Sequence, residues 1–160
     1  MTSPVAGRSI TPERRGGQVA LTLDRRTQLL AGCPLFGGVT SDDLAAIGDR
    51  SLEVDFPADH VIARQGEIGT GFFVVVDGAV RVVRDGQELA RLGPGDFFGE
   101  MSVIDGLPRV AQVVTTEPTR CLALASWEFE RLVLDHPTIG LAILRGLSAR
   151  LRSRTEPPQH

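Results

Sequence analysis

The sequence predicts a mainly β protein with flanking helices: an antiparallel β-barrel or jelly roll between two N-terminal helices and two C-terminal helices. Between Leu52 and Leu124, apolar β-branched segments alternate with glycine-marked turns. The turns recur at about 8 to 12 residues, which is typical of antiparallel sandwiches and barrels. Helical patterns stand before and after this region. A length of 160 residues suits one well-buried core and is too short for two ordinary domains.

The chain divides into three predicted parts. Residues 1–20 mix proline, glycine and arginine without apolar periodicity, and this composition indicates a flexible tail. Residues 21–154 are predicted to form the domain. Residues 155–160 are predicted to be a second flexible tail.

The two N-terminal helices are predicted to be short. The first covers the pattern from Leu21 to Leu30 and ends at Gly32. The second begins at Thr40 or Ser41, since a hydroxyl before two aspartates is a usual helix start. Its apolar positions are expected to face the core.

Two dipeptides in the β region predict hairpins. Asp77-Gly78 joins the apolar strands 72–76 and 80–84, and Asp85-Gly86 follows the second of them. Asp-Gly between apolar runs is a strong hairpin signal. We therefore expect each pair of flanking strands to be neighbours in one sheet.

The pattern lengthens to a helical period after Ala125. Ser126 is expected to cap a helix that carries Trp127, and Asp135-His136-Pro137 is expected to end it. The last helix is predicted over residues 138–154. A leucine stripe on it is expected to close one end of the barrel: Leu141, Leu144, Leu147 and Leu151.

The overall charge and composition exclude several classes of partner. A formal charge of −3 and a pI near 5.6 argue against a nucleic acid wrapped by this chain alone. No apolar run reaches the length that crosses a bilayer, and the N-terminus has no secretory leader pattern. Cys33 and Cys121 are predicted to be buried thiols in a reducing compartment. These observations predict a cytoplasmic protein.

The most informative stretch is 98–111, Phe-Gly-Glu-Met-Ser-Val-Ile-Asp-Gly-Leu-Pro-Arg-Val-Ala. It places Glu100 at the start of a short helical turn and Arg109 at the mouth of the next apolar strand. Free backbone N–H groups of such a turn attract an anion, which a guanidinium can reach from the opposite side. Glu100 would repel that anion unless it faced a neutral donor such as a sugar hydroxyl. The pattern therefore predicts a ligand with both a phosphate and a ribose.

This run resembles the phosphate-binding cassette of the cyclic nucleotide-binding domain family. The pattern of that cassette is F-G-E, then two or three apolar or small residues, then P-R-x-A. The resemblance extends from about Leu29 to about Arg154. It implies that the glutamate binds the ribose 2′-hydroxyl, that the arginine pairs with the cyclic phosphate, and that backbone N–H groups complete the cradle. The ligand-binding residues it implies are Gly99, Glu100, Met101, Ser102, Arg109, Val110 and Ala111.

One position departs from the pattern of the family. The residue after the arginine is often Ala, Ser or Thr, and here it is Val110. Its N–H is retained, but it has no hydroxyl for a guanine edge. The resemblance therefore implies cAMP as the preferred ligand over cGMP, sensed as a signal that moves the C-terminal helices. It also implies a partner, either a second copy contacted through the last helix or an unknown effector protein.

Other interpretations remain open at this stage. Glu100 and Arg109 would also be explained by an internal ion pair that only fixes a loop. The domain is also consistent with a degenerate interaction module that binds no nucleotide, or with the sensor part of a transcription regulator without its DNA-binding segment.

Enzymatic interpretations are less well supported. A cupin-like metal centre needs clustered histidines, and the chain has only His60, His136 and His160, far apart in sequence. Ser102 has no histidine base within the motif. We therefore predict a binding protein that is not an enzyme and has no cofactor or metal.

Overall fold

The fold is described from a computed structural model, which covers residues 20–69 and 71–155. The predicted tails lie outside these residues except for Ala20 and Thr155. Five helices and a short 3₁₀ turn are present in the described part. The helices are α1 (Leu23–Ala31), α2 (Ser41–Arg50), α3 (Glu100–Asp105), α4 (Ser126–Asp135) and α5 (Pro137–Thr155), and the 3₁₀ turn is Pro34–Phe36.

Eight strands form two four-stranded antiparallel sheets, which confirms the predicted jelly-roll class. The sheets face one another without sharing a described strand, so they do not close into a barrel. The first sheet has the order β1-β8-β3-β6 and the second β2-β7-β4-β5. The strands are β1 (Leu52–Phe56), β2 (Val61–Ala63), β3 (Gly71–Asp77), β4 (Val80–Arg84), β5 (Gln87–Leu92), β6 (Phe97–Phe98), β7 (Gln112–Thr115) and β8 (Thr119–Ala125).

The first sheet is covered on both faces, and its side chains divide between two apolar clusters. Phe72 and Val74 of β3 belong to the cluster beneath the helices, whereas Phe73 and Val75 belong to the cluster between the sheets. This division follows from the two-residue period of a strand. All seven residues of β8 are buried for the same reason, since β8 is a central strand with a layer on either side.

Threonine caps fix the starts of the two N-terminal helices. The Thr22 side chain accepts the N–H of Arg25 at 3.1 Å, and that of Thr40 accepts the N–H of Asp43 at 3.2 Å. Such bonds satisfy N–H groups that have no partner within the helix. The predicted start of α2 at Thr40 is confirmed. The predicted cap of α4 at Ser126 is wrong, because Ala125 is the N-cap and Ser126 is already the first helical residue.

The hairpin predicted at Asp85-Gly86 is confirmed, and the one predicted at Asp77-Gly78 is wrong. Arg84 pairs with Gln87 across the first turn, so β4 and β5 are neighbours with a two-residue loop. Both loop residues have positive φ, 51° and 79°, as a type I′ turn requires. In contrast, β3 and β4 lie in different sheets.

The corner at Asp77-Gly78 packs against the loop between β7 and β8, which also crosses from one sheet to the other. The Thr119 hydroxyl accepts the N–H of Ala79 at 3.2 Å, and the carbonyl of Ala79 accepts the N–H of Thr116 at 3.0 Å. A Cβ on Gly78 would lie only 2.6 Å from the carbonyl oxygen of Pro118. The turn residues are therefore the same as in a hairpin, but tertiary contacts direct the chain between the sheets.

The C-terminal helix buries a different face from the predicted one. Ile139 and Ile143 are fully or almost fully buried, and Leu147 packs at the edge of the same cluster. The rest of the predicted leucine stripe is exposed: Leu141, Leu144 and Leu151, with exposed fractions of 47%, 64% and 64%. The stripe therefore does not close one end of the sheets. Over the described residues, no helix has the combined length and hydrophobicity that would let it cross a bilayer.

Candidate functional site

The candidate site is centred on α3, which begins directly after β6. Gly99 is the N-cap of α3, with φ of 90°, and offers no side-chain acceptor to the N–H groups of the first turn. Only glycine fits here, since a Cβ would lie 2.6 Å from the carbonyl oxygen of Gly71 and 2.7 Å from Nη1 of Arg109. The first turn of α3 is thereby held close to the start of β3 and to the guanidinium.

Arg109 is held by its backbone to the loop between β2 and β3. Its N–H donates to the carbonyl of Glu67, and its carbonyl accepts the N–H of Gly66, both at 2.8 Å. A bridge between Ile68 and Pro108 continues this pairing. The backbone of Arg109 is therefore fixed in place by the protein itself, without a ligand.

The guanidinium of Arg109 is buried without an opposite charge next to it. The residue is only 9% exposed, and Nη2 donates to the carbonyl of Gly71 at 2.8 Å. Within the described residues, this is the only hydrogen bond of the guanidinium, and no carboxylate lies within 4.0 Å. The alternative of a Glu100–Arg109 ion pair is thus not supported. A desolvated cation in this state is costly unless an anion joins it.

Glu100 is near enough to act electrostatically on two buried neighbours. Burial lowers the pKa of the Arg109 guanidinium, and the negative charge of Glu100 opposes that shift. Burial also raises the pKa of the Cys33 thiol to about 12, with a smaller contribution in the same direction from Glu100. Glu100 is half-buried, and its charge acts on both groups without forming an ion pair with the guanidinium among the described residues.

The structure brings together only part of the predicted set. Gly99 lies at the guanidinium, and the Ser102 side chain is buried there. Ala111 is also buried, just before β7. The side chains of Met101 and Val110 are 59% and 62% exposed. That leaves only their backbone groups for the predicted cradle, whose occupation remains a prediction.

The apolar residues of α3 differ in their burial. Val103 is buried in the cluster that contains Phe129 and Leu132 of α4, whereas Met101 and Ile104 are exposed. Val103 therefore connects the candidate site to α4.

Sequence reasoning missed the role of the loop between β2 and β3. Gly69 and Gly71 lie against the guanidinium, and Gly71 accepts its hydrogen bond. Two glycines separated by one residue, at the start of an apolar strand, are visible in the sequence. Their significance depends on Arg109, which lies about 40 positions later and meets them only through the pairing of Arg109 with Glu67 and Gly66.

The two described histidines lie outside the candidate site. His60 stacks on Phe56 with ring centroids 5.3 Å apart, and burial lowers its pKa, with a smaller effect of Arg64. His136 lies between α4 and α5, with Nδ1 3.7 Å from Oδ1 of Asp43. Among the residues that the structure describes, no three His, Cys, Asp or Glu side chains form a group that could hold a metal ion.

Comparison with known proteins gives a consistent result. The family model of the cyclic nucleotide-binding domain matches residues 53–136, which include the whole candidate site. A CRP-like cAMP-activated global transcriptional regulator of Mycobacterium tuberculosis is 33% identical over 130 residues, 78% of this chain and 58% of the relative. A cyclic nucleotide-gated potassium channel of Rhizobium etli is 36% identical over 135 residues, 84% of this chain and 37% of the channel.

The fold has a solved counterpart as well. The N-terminal domain of a transcriptional regulator from Streptomyces coelicolor superposes with a TM-score of 0.69 and 29% identity, covering 76% of this chain and 88% of that domain. In contrast, the chain spans little more than half of the Mycobacterium relative. The likeness thus covers a domain of the longer relatives.

Proposed function

This chain belongs to the cyclic nucleotide-binding domain family, and we propose on that premise that it binds a cyclic nucleotide as a regulatory signal, cAMP in preference to cGMP. The observation that carries the proposal is the buried guanidinium of Arg109, which has no carboxylate partner among the described residues. The cyclic phosphate would supply the missing anion. The ligand is a signal and not a substrate, so the protein is a binding protein and not an enzyme.

Each part of the ligand has a proposed partner at the site. Arg109 pairs with the phosphate, with the backbone N–H groups of Ser102 and Val110 beside it. Glu100 accepts a hydrogen bond from the ribose 2′-hydroxyl, and Gly99 allows the sugar to approach the backbone. The preference for cAMP rests on Val110, which has no hydroxyl for guanine. No cofactor is required by this scheme.

A titration of the purified chain with cAMP, cGMP and 5′-AMP tests the proposal. Isothermal calorimetry should detect cAMP binding, weaker cGMP binding and little binding of 5′-AMP. Glu100→Ala should weaken cAMP binding by about ten-fold or more, because a hydrogen bond to a charged group contributes about 1.5–3 kcal/mol. Glu117→Ala, an exposed glutamate in the loop between β7 and β8, is the matched control and should leave the affinity unchanged.

The opposite outcome would favour a different function. If the wild-type chain binds none of these nucleotides, the domain is an interaction module that keeps the fold without the ligand. If 5′-AMP binds as well as cAMP, the cradle does not recognise a cyclic ester.

The downstream output of the sensor is a separate question. The relatives include a cAMP-activated transcriptional regulator and a cyclic nucleotide-gated potassium channel, which differ in output. The similarity therefore supports the sensor activity more than either output. We propose a cytoplasmic sensor that acts through a partner, either an effector protein or a longer regulator of which this is the sensor part.

The C-terminal helices are proposed to carry the signal. Val103 links α3 to Phe129 and Leu132 of α4, while Thr138 at the start of α5 donates to Asp43 of α2. Movement of α5 on ligand binding would have to alter this bond. The exposed leucines of α5 also favour a homodimer contact through this helix.

Two measurements test these roles of α5. Hydrogen exchange should change within α5 when cAMP is added, and light scattering should give the mass of a dimer. Unchanged exchange throughout residues 126–155 would contradict the movement, and a monomer mass with and without cAMP would contradict the homodimer.

A further inference from the structure

The guanidinium of Arg109 is enclosed by three glycines from two places in the chain: residues 69 and 71, and the start of α3. Gly71 supplies the carbonyl that accepts the hydrogen bond of Nη2 at 2.8 Å. Gly99 approaches Nη1 from the start of α3, and Gly69 approaches Nε from the loop between β2 and β3. At Gly69 and Gly99, the guanidinium lies in the space that a Cβ would otherwise fill.

Gly69 lies against both the guanidinium and α3. A Cβ on Gly69 would lie 2.7 Å from both Cζ and Nε of Arg109, and 2.8 Å from Cβ of Ser102. The same small volume therefore borders the guanidinium on one side and the first turn of α3 on the other. Any side chain at this position would push these two groups, which are the proposed phosphate ligands on opposite sides of the cradle.

The backbone of Gly69 does not itself require glycine. Its φ lies outside the left-handed region, in contrast to Gly99. Alanine can therefore adopt its conformation, and the effect of a methyl group there is steric. The guanidinium belongs to a flexible side chain, so it can move away, from 2.7 Å to an ordinary contact of at least 3.4 Å. Cβ of Ser102, at 2.8 Å, can move away only together with the backbone of α3.

We propose that Gly69 is a positioning residue for cyclic nucleotide binding: it leaves the space in which the Arg109 guanidinium and the first turn of α3 are held at the spacing that the phosphate needs. This inference rests on the proposed function. A displacement of about 0.7 Å exceeds the tolerance of about 0.5 Å within which a preorganised site works. Gly69→Ala should therefore weaken cAMP binding by about ten-fold or more, since a misaligned charge-assisted hydrogen bond loses most of its strength.

The experiment compares Gly69→Ala with Gly93→Ala. Gly93 also lies in a loop, its φ is outside the left-handed region, and a Cβ there would meet nothing within 4 Å. We expect Gly69→Ala to lose cAMP affinity and Gly93→Ala to retain it. If Gly69→Ala does not fold, the double variant Gly69→Ala with Ser102→Gly removes the contact with α3 and keeps the contact with Arg109.

Two further readouts separate positioning from a general structural effect. The Nε–H resonance of Arg109, assigned by its loss in Arg109→Ala, should shift in ligand-free Gly69→Ala and not in Gly93→Ala. The second readout is the effect of Gly69→Ala on cAMP affinity in an Arg109→Ala background, measured by NMR titration at millimolar cAMP. The fold-loss of affinity should be smaller there than in the wild type.

Several results would overturn the inference. Wild-type affinity in folded Gly69→Ala would do so, as would an equal fold-loss with and without Arg109. The resonance shift needs no ligand, so it decides whether Gly69 positions the Arg109 guanidinium even if the wild type binds no cyclic nucleotide. In that case the proposed function fails, and an unshifted resonance would remove the positioning role as well.

Discussion

Replacement of Arg109 by alanine is expected to weaken cAMP binding by about ten-fold to several hundred-fold while the ligand-free domain stays folded. Arg109 is 9% exposed, and its guanidinium has a single hydrogen bond, to Gly71, within the described part of the chain. Its desolvation is therefore poorly compensated before the ligand binds. Charge-assisted hydrogen bonds to the phosphate contribute about 1.5–3 kcal/mol each, so the loss of one or two gives the expected range.

Calorimetry of cAMP binding and urea unfolding of the ligand-free protein measure the two effects separately. We expect the free energy of unfolding to be nearly unchanged or higher, because the variant no longer buries a cation. Arg84→Ala, at the exposed end of β4, is the control and should alter neither quantity appreciably. Unchanged cAMP affinity in Arg109→Ala would remove the proposed phosphate ligand, and a large loss of stability would indicate a structural role instead.

The candidate site was predictable where one short segment determines it. Gly99, Glu100 and Ser102 lie within four residues, and the pattern of a carboxylate after a glycine at a helix start is local. The burial of Arg109 follows less directly, because it depends on the pairing of its backbone with Glu67 and Gly66. Gly69 was missed because its importance is steric and arises only when the distant arginine lies against it.

The fold shows the same distinction between local and tertiary determinants. Asp77-Gly78 and Asp85-Gly86 carry the same dipeptide, but only the second is a hairpin. The first becomes a corner because the β7–β8 loop packs against it, and a sequence window does not contain that loop.

Helix positions follow the same rule. Thr40 was predictable as a cap from its own neighbours, whereas the buried face of α5 was not. Isoleucines at 139 and 143 and leucines at 141 and 144 occupy different faces of one apolar helix. Packing against the cluster beneath the helices determines which face is buried, and the periodicity of the sequence alone does not.

A second buried arginine is expected to have the opposite role to Arg109. Arg120 on β8 is 4% exposed, and its Nε and Nη2 donate to the two carboxylate oxygens of Asp55 at 3.0 and 3.3 Å. Its Nη1 donates to Glu53 at 3.3 Å. Glu53 also accepts the N–H of Leu21 and a bond from Arg26 of α1. This ion network joins α1, β1 and β8 at one edge of the helical core.

Arg120→Ala is therefore expected to destabilise the domain by about 3–5 kcal/mol, which is the usual cost of removing one partner of a buried ion pair. The variant leaves Glu53, which is 1% exposed, and Asp55 with less compensation for their desolvation. Domains of this kind have about 5–15 kcal/mol of stability in total, so part of the population would unfold. Urea unfolding measures the loss, and cAMP affinity of the folded fraction should remain close to the wild-type value.

The control for Arg120 is an arginine in an exposed ion pair. Arg91 contacts Glu88 at 2.8 Å on β5, where it is 67% exposed, and such surface pairs contribute less than about 1 kcal/mol. If Arg120→Ala cost no more than Arg91→Ala, the network would not stabilise the fold. With Arg109→Ala, these variants form a crossed test. Loss of binding without loss of stability at Arg109, and the reverse at Arg120, would show that burial alone does not assign a role. The deciding feature would then be whether the guanidinium has carboxylate partners within the described part of the protein.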